Sequence, residues 1–559
     1  MRYLRALLFL VTSMAGAMAT PAVCAAVDDG SLSFDNAEVR LGDRLFFETR
    51  FAQFYFAQAK GDSNATLPAG DPLMDKVPVA LGEDLPGPFA GQGINCRQCH
   101  LGSDFLPDRL RAGRTYGDFT RRSPIPPRGD GQVVTSRNSP LMIDLGIPRE
   151  VPELFHFDGE FVSHEDVIRD TLVGRNMGWL PNEQEIAKKH IAKIIREDEG
   201  MNPRHIRYAD GKGIPYRVVL AGESPTLLHQ EIPAQYRIDV MNASDDEILD
   251  AIAVLMHAYM DSLRFGTNNT FRKSASPYDL FLKKNDLPAA PNPGEPAADY
   301  ADRLLKELNS RIGFAWVDDR DDRFALHEQS FQFGPTEFIG LRTFLTRAGD
   351  AKKKQGVGNC VACHPPPRFT DFSLHNTGVS QIEYDAIFQD GAFAALKVPG
   401  LSERNANFDA YLPPSAKHPN ASGRFRSIPE REKPGRTDLG VWNVFANPDL
   451  PKPQAALRTI LCAPSGPAPG DCREEEVLPL TLGYFKTPSI RDLGQSEPYF
   501  HTGGVDTVDE ALAFYRTVSD LARAGKLRNG SPEIAQVQLG DRDQVALVAF
   551  LRSLNEDYH

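Results

Sequence analysis

Two short stretches govern the interpretation of this sequence, Gly93-Ile94-Asn95-Cys96-Arg97-Gln98-Cys99-His100 and Gly358-Asn359-Cys360-Val361-Ala362-Cys363-His364. In each, two cysteines separated by two residues are followed directly by a histidine. Two such thiols can add to the two vinyl groups of one porphyrin, while the adjacent histidine reaches the iron. We therefore predict two covalently bound haem c groups, with these four cysteines as the attachment points and with His100 and His364 as proximal ligands.

The alternative for each motif is a zinc site or a redox-active cysteine pair, which needs more ligands than lie nearby in the sequence. Each motif is preceded by a glycine and an asparagine, in Gly93-Ile94-Asn95 and in Gly358-Asn359. This repeat indicates two related haem modules. We place the boundary between them near residue 275, which gives an N-terminal haem domain over 27–275 and a C-terminal one over 276–559.

The N-terminus has the pattern of an export signal. Arg2 and Arg5 precede an apolar run over 6–14, and small residues follow, so we predict a signal peptide over 1–26 and a periplasmic protein. No later stretch reaches the roughly 20 apolar residues of a membrane helix, and no membrane span is expected.

Export also bears on the remaining cysteines. Of seven cysteines, four lie in the haem motifs and Cys24 lies in the signal region. Cys462 and Cys472 remain, in a loop rich in proline and glycine, and an oxidising compartment favours a disulfide there over a metal site.

Composition excludes some partners. The 559 residues carry a net charge of −13, which argues against nucleic acid or an anionic membrane as partner and suits a small basic redox protein. A merely soluble acidic surface explains the charge equally well.

Three helices are predicted from capping boxes and apolar spacing. The first follows Ser244 and stops by Gly266, the second runs from Thr507 through Tyr515, and the third spans about 543–554. Segments 285–297, 412–436 and 448–472 are rich in proline and glycine and are predicted to be loops. Because no segment alternates with period two, we expect a mainly α protein with long loops and insertions.

The face of each iron opposite its proximal histidine determines whether it carries electrons or binds an oxidant. Between Leu101 and Phe155 there is no histidine and only one methionine, Met142. The first haem is therefore predicted to have an open face, which makes His100 the catalytic ligand. The alternative is a more distant ligand, namely His156, His164 or Met177.

Several islands of sequence resemble the bacterial dihaem cytochrome c peroxidase superfamily, which includes the MauG enzymes and, more distantly, dihaem rubber oxygenases. They are Arg137-Asn138-Ser139-Pro140, Phe157-Asp158-Gly159, Ser276-Pro277-Tyr278-Asp279, Phe369-Thr370-Asp371, His375-Asn376-Thr377-Gly378, Phe485-Lys486-Thr487-Pro488-Ser489-Ile490-Arg491 and Pro498-Tyr499-Phe500-His501-Thr502-Gly503-Gly504. Insertions around 180–240, 285–330 and 395–475 have no counterpart that we can place. The resemblance implies two cytochrome c-like helical domains with one haem each.

The second haem site differs from that of the peroxidases, in which a methionine at the position of Phe500 binds the iron. By resemblance to the rubber oxygenases, His501 is the expected second ligand of that iron. Two imidazoles favour ferric iron more than a histidine and a thioether do, and would lower the potential. The alternative is that His501 only hydrogen-bonds the nearby backbone.

The first haem pocket departs as well. The family's tryptophan between the haems is Phe157 here, and its glutamine and glutamate align near Val167 and Asn176-Met177. The residues that could replace this acid–base pair are Glu165, Asp166, Arg175 and Glu183.

Relatives also carry a calcium ion between the domains, which implies oxygen ligands from Asp144, Thr481 and Gly483 in this chain. The resemblance implies an oxidoreductase that reduces hydrogen peroxide with electrons from a small periplasmic cytochrome c or cupredoxin. Two alternatives stay open: an oxygenase or MauG-like oxidase that uses peroxide or dioxygen on an organic or protein substrate, and a non-catalytic dihaem electron carrier. A homodimer is also left open.

Overall fold

Helices dominate the computed structural model, in which 43% of the chain is helical, and the predicted mainly α fold is confirmed. The described part of the chain lies within one compact unit, Asn36–His559, while the predicted signal peptide lies outside it. The residues that the structure describes are 36–70, 76–78, 84–86, 93–96, 99–100, 122–140, 142, 149, 151–202, 213–223, 231–263, 276–324, 327, 329–349, 356–470 and 472–556.

The α-helices of these ranges are α1 (Ala37–Phe46), α2 (Gln53–Gln58), α3 (His164–Val173), α4 (Gln184–Glu197), α5 (Tyr216–Leu220), α6 (Asp245–Ser262), α7 (Pro277–Lys284), α8 (Ala297–Ser310), α9 (Pro335–Leu345), α10 (Val379–Phe388), α11 (Leu401–Ala406), α12 (Phe408–Tyr411), α13 (Gln454–Leu461), α14 (Glu474–Val477), α15 (Val508–Arg523) and α16 (Asp541–Arg552). The strands are β1 (Lys76–Pro78), β2 (Asp84–Pro86), β3 (Leu374–His375) and β4 (Phe485–Lys486), and they form two antiparallel pairs, β1 with β2 and β3 with β4.

Each half of the chain contains a close helix crossing. In the first half α1 packs on α6, and a β-carbon added to Gly42 would collide with the Leu255 carbonyl. In the second half α9 packs on α16, and a β-carbon on Gly340 would collide with the Ala546 carbonyl. A glycine thus permits backbone approach at the corresponding place in both halves, beside each cysteine motif.

The apolar residues form three cores. The first comprises residues between Ala37 and Met260, and the second residues between Tyr278 and Leu554. The third combines Leu154 with residues between Leu374 and Tyr484, so the insertion 395–475 has a core of its own. The domain boundary near residue 275 stays a prediction.

The predicted helices are present with small shifts. Ser244 and Glu247 form the capping box of α6, and Thr507 and Glu510 form that of α15. Helix α15 extends eight residues beyond the predicted Tyr515, while α16 begins and ends two residues before the predicted bounds.

The predicted loop over 448–472 is wrong in part, because α13 lies within it. One face of this helix is buried through Leu457, Ile460 and Leu461. Their helical spacing favours a helix more strongly than the surrounding prolines and glycines favour a loop. The predicted disulfide between Cys462 and Cys472 is confirmed, and it closes the loop that follows α13.

No helix in the described part of the chain combines the length and apolar character that crossing a bilayer requires.

Candidate functional site

One large cavity of about 1550 Å³ brings the two cysteine motifs together. Ordinary small-molecule pockets enclose roughly 300–1,000 Å³, so this space exceeds what a single small ligand needs. Its lining includes every motif residue predicted to bind haem: Cys96, Cys99, His100, Cys360, Cys363, His364 and His501.

The first motif presents a neutral imidazole to the cavity. The His100 Nδ1 atom lies 3.1 Å from the Pro140 carbonyl oxygen, so Nδ1 carries the proton and donates it there. Burial lowers the pKa of His100 to about 4, which keeps the ring uncharged. The Nε2 lone pair is then available as a ligand.

The second motif is built in the same way. The His364 Nδ1 atom lies 2.8 Å from the Phe369 carbonyl oxygen, and burial lowers the pKa of this imidazole too. Asn359, in the left-handed region with φ of 51°, donates from its side chain to the Glu533 carbonyl at 3.0 Å and fixes the turn that begins the motif. A metal-binding histidine typically donates its other ring nitrogen to a carbonyl in this manner.

The four motif cysteines form no disulfide. Burial raises the pKa of Cys96 to about 12, of Cys99 to about 11 and of Cys360 to about 12, and it also raises the pKa of Cys363. Burial therefore keeps these thiols protonated and makes them weak nucleophiles for disulfide exchange. Paired unbridged thiols, oriented imidazoles and a cavity of this size fit two haems.

Cys363 of the second motif has two further possible metal ligands beside it. Asp371 and His375 lie close to Cys363 in space, and ligand atoms of the three residues all fall within 4.8 Å of one another, although the sequence indicated too few ligands nearby. The His375 Nε2 atom lies 2.7 Å from the Asp371 carboxylate. Cys360 and His364 are outside this group, so it does not account for the complete motif.

His501 is buried in the wall of the cavity. Its ring stacks on Phe485 with centroids 3.6 Å apart, and Nε2 lies 3.5 Å from the Ser380 hydroxyl. Burial lowers its pKa to about 3, so the imidazole is neutral. The neighbouring Phe500 packs against Phe514 instead, with ring centroids 4.6 Å apart. Iron binding by His501 stays a prediction, and the structure gives it the burial and neutrality that a ligand needs.

Further residues named from the sequence for the first haem pocket also line the cavity. They are Met142, His156, Phe157, His164, Val167, Arg175, Asn176 and Met177. Three proposed acid–base replacements face other partners. Glu165 pairs with His257 at 2.6 Å, Asp166 with Lys452 at 2.6 Å and Glu183 with Arg128 at 2.7 Å.

Arg175 is similarly occupied, since its guanidinium contacts Asp130 at 2.6 Å. The carboxylate that sequence reasoning missed is Asp170, which lies one helical turn after Asp166 on α3 and lines the cavity. Burial by surrounding protein atoms and repulsion from Glu160 raise the pKa of Asp170 to about 6, although its side chain is solvent-accessible. The position of Asp170 on the helix was readable from the sequence, but its proximity to Glu160 was not.

A buried ion-pair network connects the first and second halves beside this cavity. Arg137 contacts Asp158 at 2.7 Å and Asp438 at 2.5 Å. Arg426 contacts Glu160 at 2.6 Å and Asp158 at 3.6 Å. The insertion that contains Asp438 and Arg426 is thus held against the segment that contributes to both sites.

The predicted calcium ligands are only partly described. Asp144 lies outside the described residues. The Thr481 hydroxyl donates to the Leu478 carbonyl at 2.8 Å, the Thr481 carbonyl accepts from the Tyr484 amide, and Gly483 has φ of 76°. The calcium site stays a prediction.

Comparison with known proteins gives partial matches. No protein-family model matches the chain. A stretch of 200 residues, 36% of this chain, is 27% identical to the cytochrome-c peroxidase IdrP2 of Denitromonas iodatirespirans and covers 37% of that protein. A stretch of 77 residues, 14% of this chain, is 32% identical to the cytochrome-c peroxidase IdrP1 of the same organism and covers 19% of it. The matches therefore span less than two-fifths of the length of these curated relatives.

Two solved structures are similar over a longer part of the chain. A dihaem peroxidase from Burkholderia thailandensis is 16% identical with a TM-score of 0.44, over 93% of this chain and 86% of that one. A MauG-like protein associated with microbial copper homeostasis is 16% identical with a TM-score of 0.42, over 94% of this chain and 90% of that one.

Proposed function

We propose that this chain, whose similarity to dihaem cytochrome c peroxidases and MauG-like proteins agrees with its motifs, reduces hydrogen peroxide with electrons from a small redox protein. The observation that carries the proposal is that both cysteine motifs, each with an oriented neutral histidine, line one cavity. Cys96 and Cys99 attach one haem and Cys360 and Cys363 the other.

Haem iron, when bound, supplies redox cycling and a coordination position for the oxidant. The residues of this chain divide the remaining tasks between two sites. When bound, the second haem would be held by Cys360, Cys363, His364 and the proposed ligand His501, an arrangement that suits storage and transfer of electrons. The first haem would be held by Cys96, Cys99 and His100, and its iron would keep a coordination position for peroxide.

Phe157 lines the cavity and lies close to His501. The two ring centroids are 6.3 Å apart, and the Phe157 carbonyl accepts a hydrogen bond from the Lys486 amide at 2.6 Å. The residues that precede it, Phe155 and His156, also line the cavity, and His156 is near enough to His100 to lower the pKa of that imidazole. One short segment therefore contacts His501 and approaches His100, and we propose it as the electron path between the two haems.

Asp170 supplies the acid–base function that the sequence had seemed to lack. Cleavage of peroxide requires a group that takes a proton from one oxygen and returns it to the other. With a pKa of about 6, the Asp170 carboxylate exchanges protons readily near neutral pH.

A second candidate function, oxidation of an organic or protein substrate, is favoured by a separate observation. Residues of the insertion 395–475 also line the cavity, among them Pro413, Pro414, Ile428 and Leu450. This wall, which also contains charged residues such as Arg426 and Lys433, extends the cavity beyond the space that peroxide needs.

Location and partners are part of the same proposal. The disulfide between Cys462 and Cys472 supports an oxidising compartment, in accordance with a signal peptide over 1–26 and a periplasmic location. The net charge of −13 suits a basic cytochrome c or cupredoxin as electron donor. A calcium ion held by Asp144, Thr481 and Gly483 completes the proposed cofactor set.

The test begins with the full chain produced by a periplasmic host that matures c-type cytochromes. Mass spectrometry should give an increment of two haems on a chain cleaved near residue 26, and a pyridine haemochrome assay should give the same stoichiometry. Fewer than two haems would overturn the proposal.

Activity is then compared in two assays: peroxide with reduced cytochrome c, and oxygen uptake with candidate organic substrates. Rapid peroxide turnover supports the peroxidase; oxygen uptake without peroxide turnover favours the second candidate. A wholly low-spin spectrum that cyanide leaves unchanged would indicate an electron carrier. His100→Gln should abolish peroxide turnover, whereas His190→Gln, a buried histidine of the same half that bonds the Arg50 carbonyl at 2.7 Å, should retain it.

A further inference from the structure

Three side chains form a hydrogen-bonded chain that starts at the first-site cavity. The His164 Nδ1 atom lies 3.1 Å from the Nε2 atom of His257, and the His257 Nδ1 atom lies 2.6 Å from the Oε1 atom of Glu165. His164 and Glu165 begin α3, and His257 lies on α6, which packs against α3.

The two ends of this chain have different surroundings. His164 is 5% exposed, lines the cavity, and its Nε2 atom has no hydrogen-bond partner. The side chains of His257 and Glu165 are 31% and 34% exposed. The chain therefore connects a buried, unpartnered nitrogen with a carboxylate that solvent reaches.

Hydrogen bonding fixes the tautomers. Ionised Glu165 can only accept, so His257 carries its proton on Nδ1 and donates it to the carboxylate. The His257 Nε2 atom is then an acceptor, and His164 must donate to it from Nδ1. This leaves a lone pair on the His164 Nε2 atom, which faces the cavity as a base.

The groups around His164 keep it neutral. Phe155 packs on its ring with centroids 4.1 Å apart, and the Arg149 guanidinium and Lys486 ammonium lie 4.8 and 5.7 Å from the Phe155 ring. Burial, His257 and these two cations lower the pKa of His164 to about 3. The helix N-terminus likewise disfavours a cation at His164 and stabilises an anion at Glu165.

We infer that His164, His257 and Glu165 form a proton relay that carries one proton from the first-site cavity to the protein surface. The relay rests on the proposed function, because it serves a ligand that binds opposite His100. The His164 Nε2 atom takes the proton from the incoming ligand, and the Nδ1 proton passes to the His257 Nε2 atom. The His257 Nδ1 proton then passes to Glu165, so both imidazoles end neutral in their other tautomers and the carboxylate holds the proton.

This arrangement differs from that of Asp170, which also lines the cavity. Asp170 can hold a proton beside the reacting ligand, whereas the relay moves a proton away without placing a charge on His164. The two devices lie on one helix and can be tested separately.

Cyanide is the probe, because it enters as neutral hydrogen cyanide and must lose a proton to bind iron. The holoprotein is mixed with cyanide at pH 7, and the association rate constant is followed by absorbance. Glu165→Gln should lower the rate constant about tenfold, and His164→Gln should lower it about 100-fold, within the range typical of a lost general base. The control is Asp166→Asn, a neighbouring carboxylate that pairs with Lys452 and should change the rate less than twofold.

Each result decides one question. Equal rates for Glu165→Gln and Asp166→Asn would overturn the relay, and this comparison uses partly exposed residues whose replacement preserves folding. Faster cyanide binding by His164→Gln, with conversion of a low-spin resting spectrum to high spin, would overturn the relay by making His164 an iron ligand. If the wild-type protein binds no cyanide, the open first site of the proposed function fails; if it binds and the variants equal it, only the relay fails.

Discussion

The two cysteine motifs position their histidines in nearly the same way, but the residues around the two sites differ. His100 and His364 each donate from Nδ1 to a backbone carbonyl, at 3.1 and 2.8 Å. Beyond them, the second site has the buried ring of His501 stacked on Phe485, whereas the first site opens toward α3 and the insertion. The comparison teaches that the repeated motif imposes one local geometry, while the surroundings of each site are set by residues distant in the sequence.

The largest expected effect comes from removing one pair of thiols. Replacing Cys96 and Cys99 by alanine should leave one haem per chain, and that haem should be wholly low-spin if His364 and His501 both bind its iron, as proposed. Replacing Cys360 and Cys363 by alanine should also leave one haem, but a haem that binds cyanide. Haemochrome stoichiometry and absorption spectra measure both results. Identical spectra for the two double variants would show that the sites do not differ as described.

The next effect concerns the second ligand at the second site. His501→Met should raise the potential of that haem on the order of 0.1 V, a part of the roughly 0.8 V range that axial ligands span. A redox titration measures the change. The control is His327→Gln, a histidine of the same half whose Nε2 atom bonds the Glu556 carbonyl at 3.0 Å and which should leave both potentials unchanged. An unchanged potential in His501→Met would assign His501 a structural role.

The sequence predicted well the features that depend on local residues, including those that the two motifs share. Both haem motifs, the capping boxes of α6 and α15 and the disulfide depend on residues close together in the chain, and local physics suffices for them. The crossings of α1 on α6 and α9 on α16 could not be read from Gly42 or Gly340, because an isolated glycine does not indicate what approaches it.

The features that distinguish the two sites depend on contacts between residues that are far apart in the sequence. Asp166 was predicted as an acid–base group and Asp170 was not, but Lys452, almost 300 positions after Asp166, pairs with Asp166. His164 could be listed only as an alternative iron ligand, since its bond to His257 spans 93 positions. Pairings at such separations leave no trace in local periodicity.

The third prediction concerns the ion pairs that hold the two regions together. Arg137→Met leaves the buried Asp438 carboxylate with the Gly440 amide but without the Arg137 guanidinium, and it leaves Asp158 with Arg426 alone, at 3.6 Å. Loss of one member of a buried pair costs about 3–5 kcal/mol of unfolding free energy, measured by chemical denaturation of the holoprotein. Arg122→Met breaks a more exposed link, to Glu383 at 2.6 Å, and should cost at most about 1 kcal/mol. Equal losses would mean that burial does not distinguish the two links.

The smallest effect is a pH dependence confined to the first site. Burial and repulsion from Glu160 raise the pKa of Asp170 to about 6, so the proton-accepting carboxylate is present above pH 6 and lost below it. The rate of the wild-type protein with peroxide should therefore rise between pH 5 and pH 7, whereas Asp170→Asn should be flat over this range and about 100-fold slower at pH 7.

The matched control for this pH dependence is Asp130→Asn, because Asp130 also lines the cavity but has the opposite electrostatic environment. Burial alone would raise its pKa, yet the hydrogen bonds from Arg175 and from the Gln132 amide lower it, so Asp130 stays ionised across the range. Stopped-flow rates with peroxide should keep the rise near pH 6 in Asp130→Asn. If that rise persists in Asp170→Asn, the titrating group is another residue, and the hydrogen-bonded chain that begins at His164 is the next candidate.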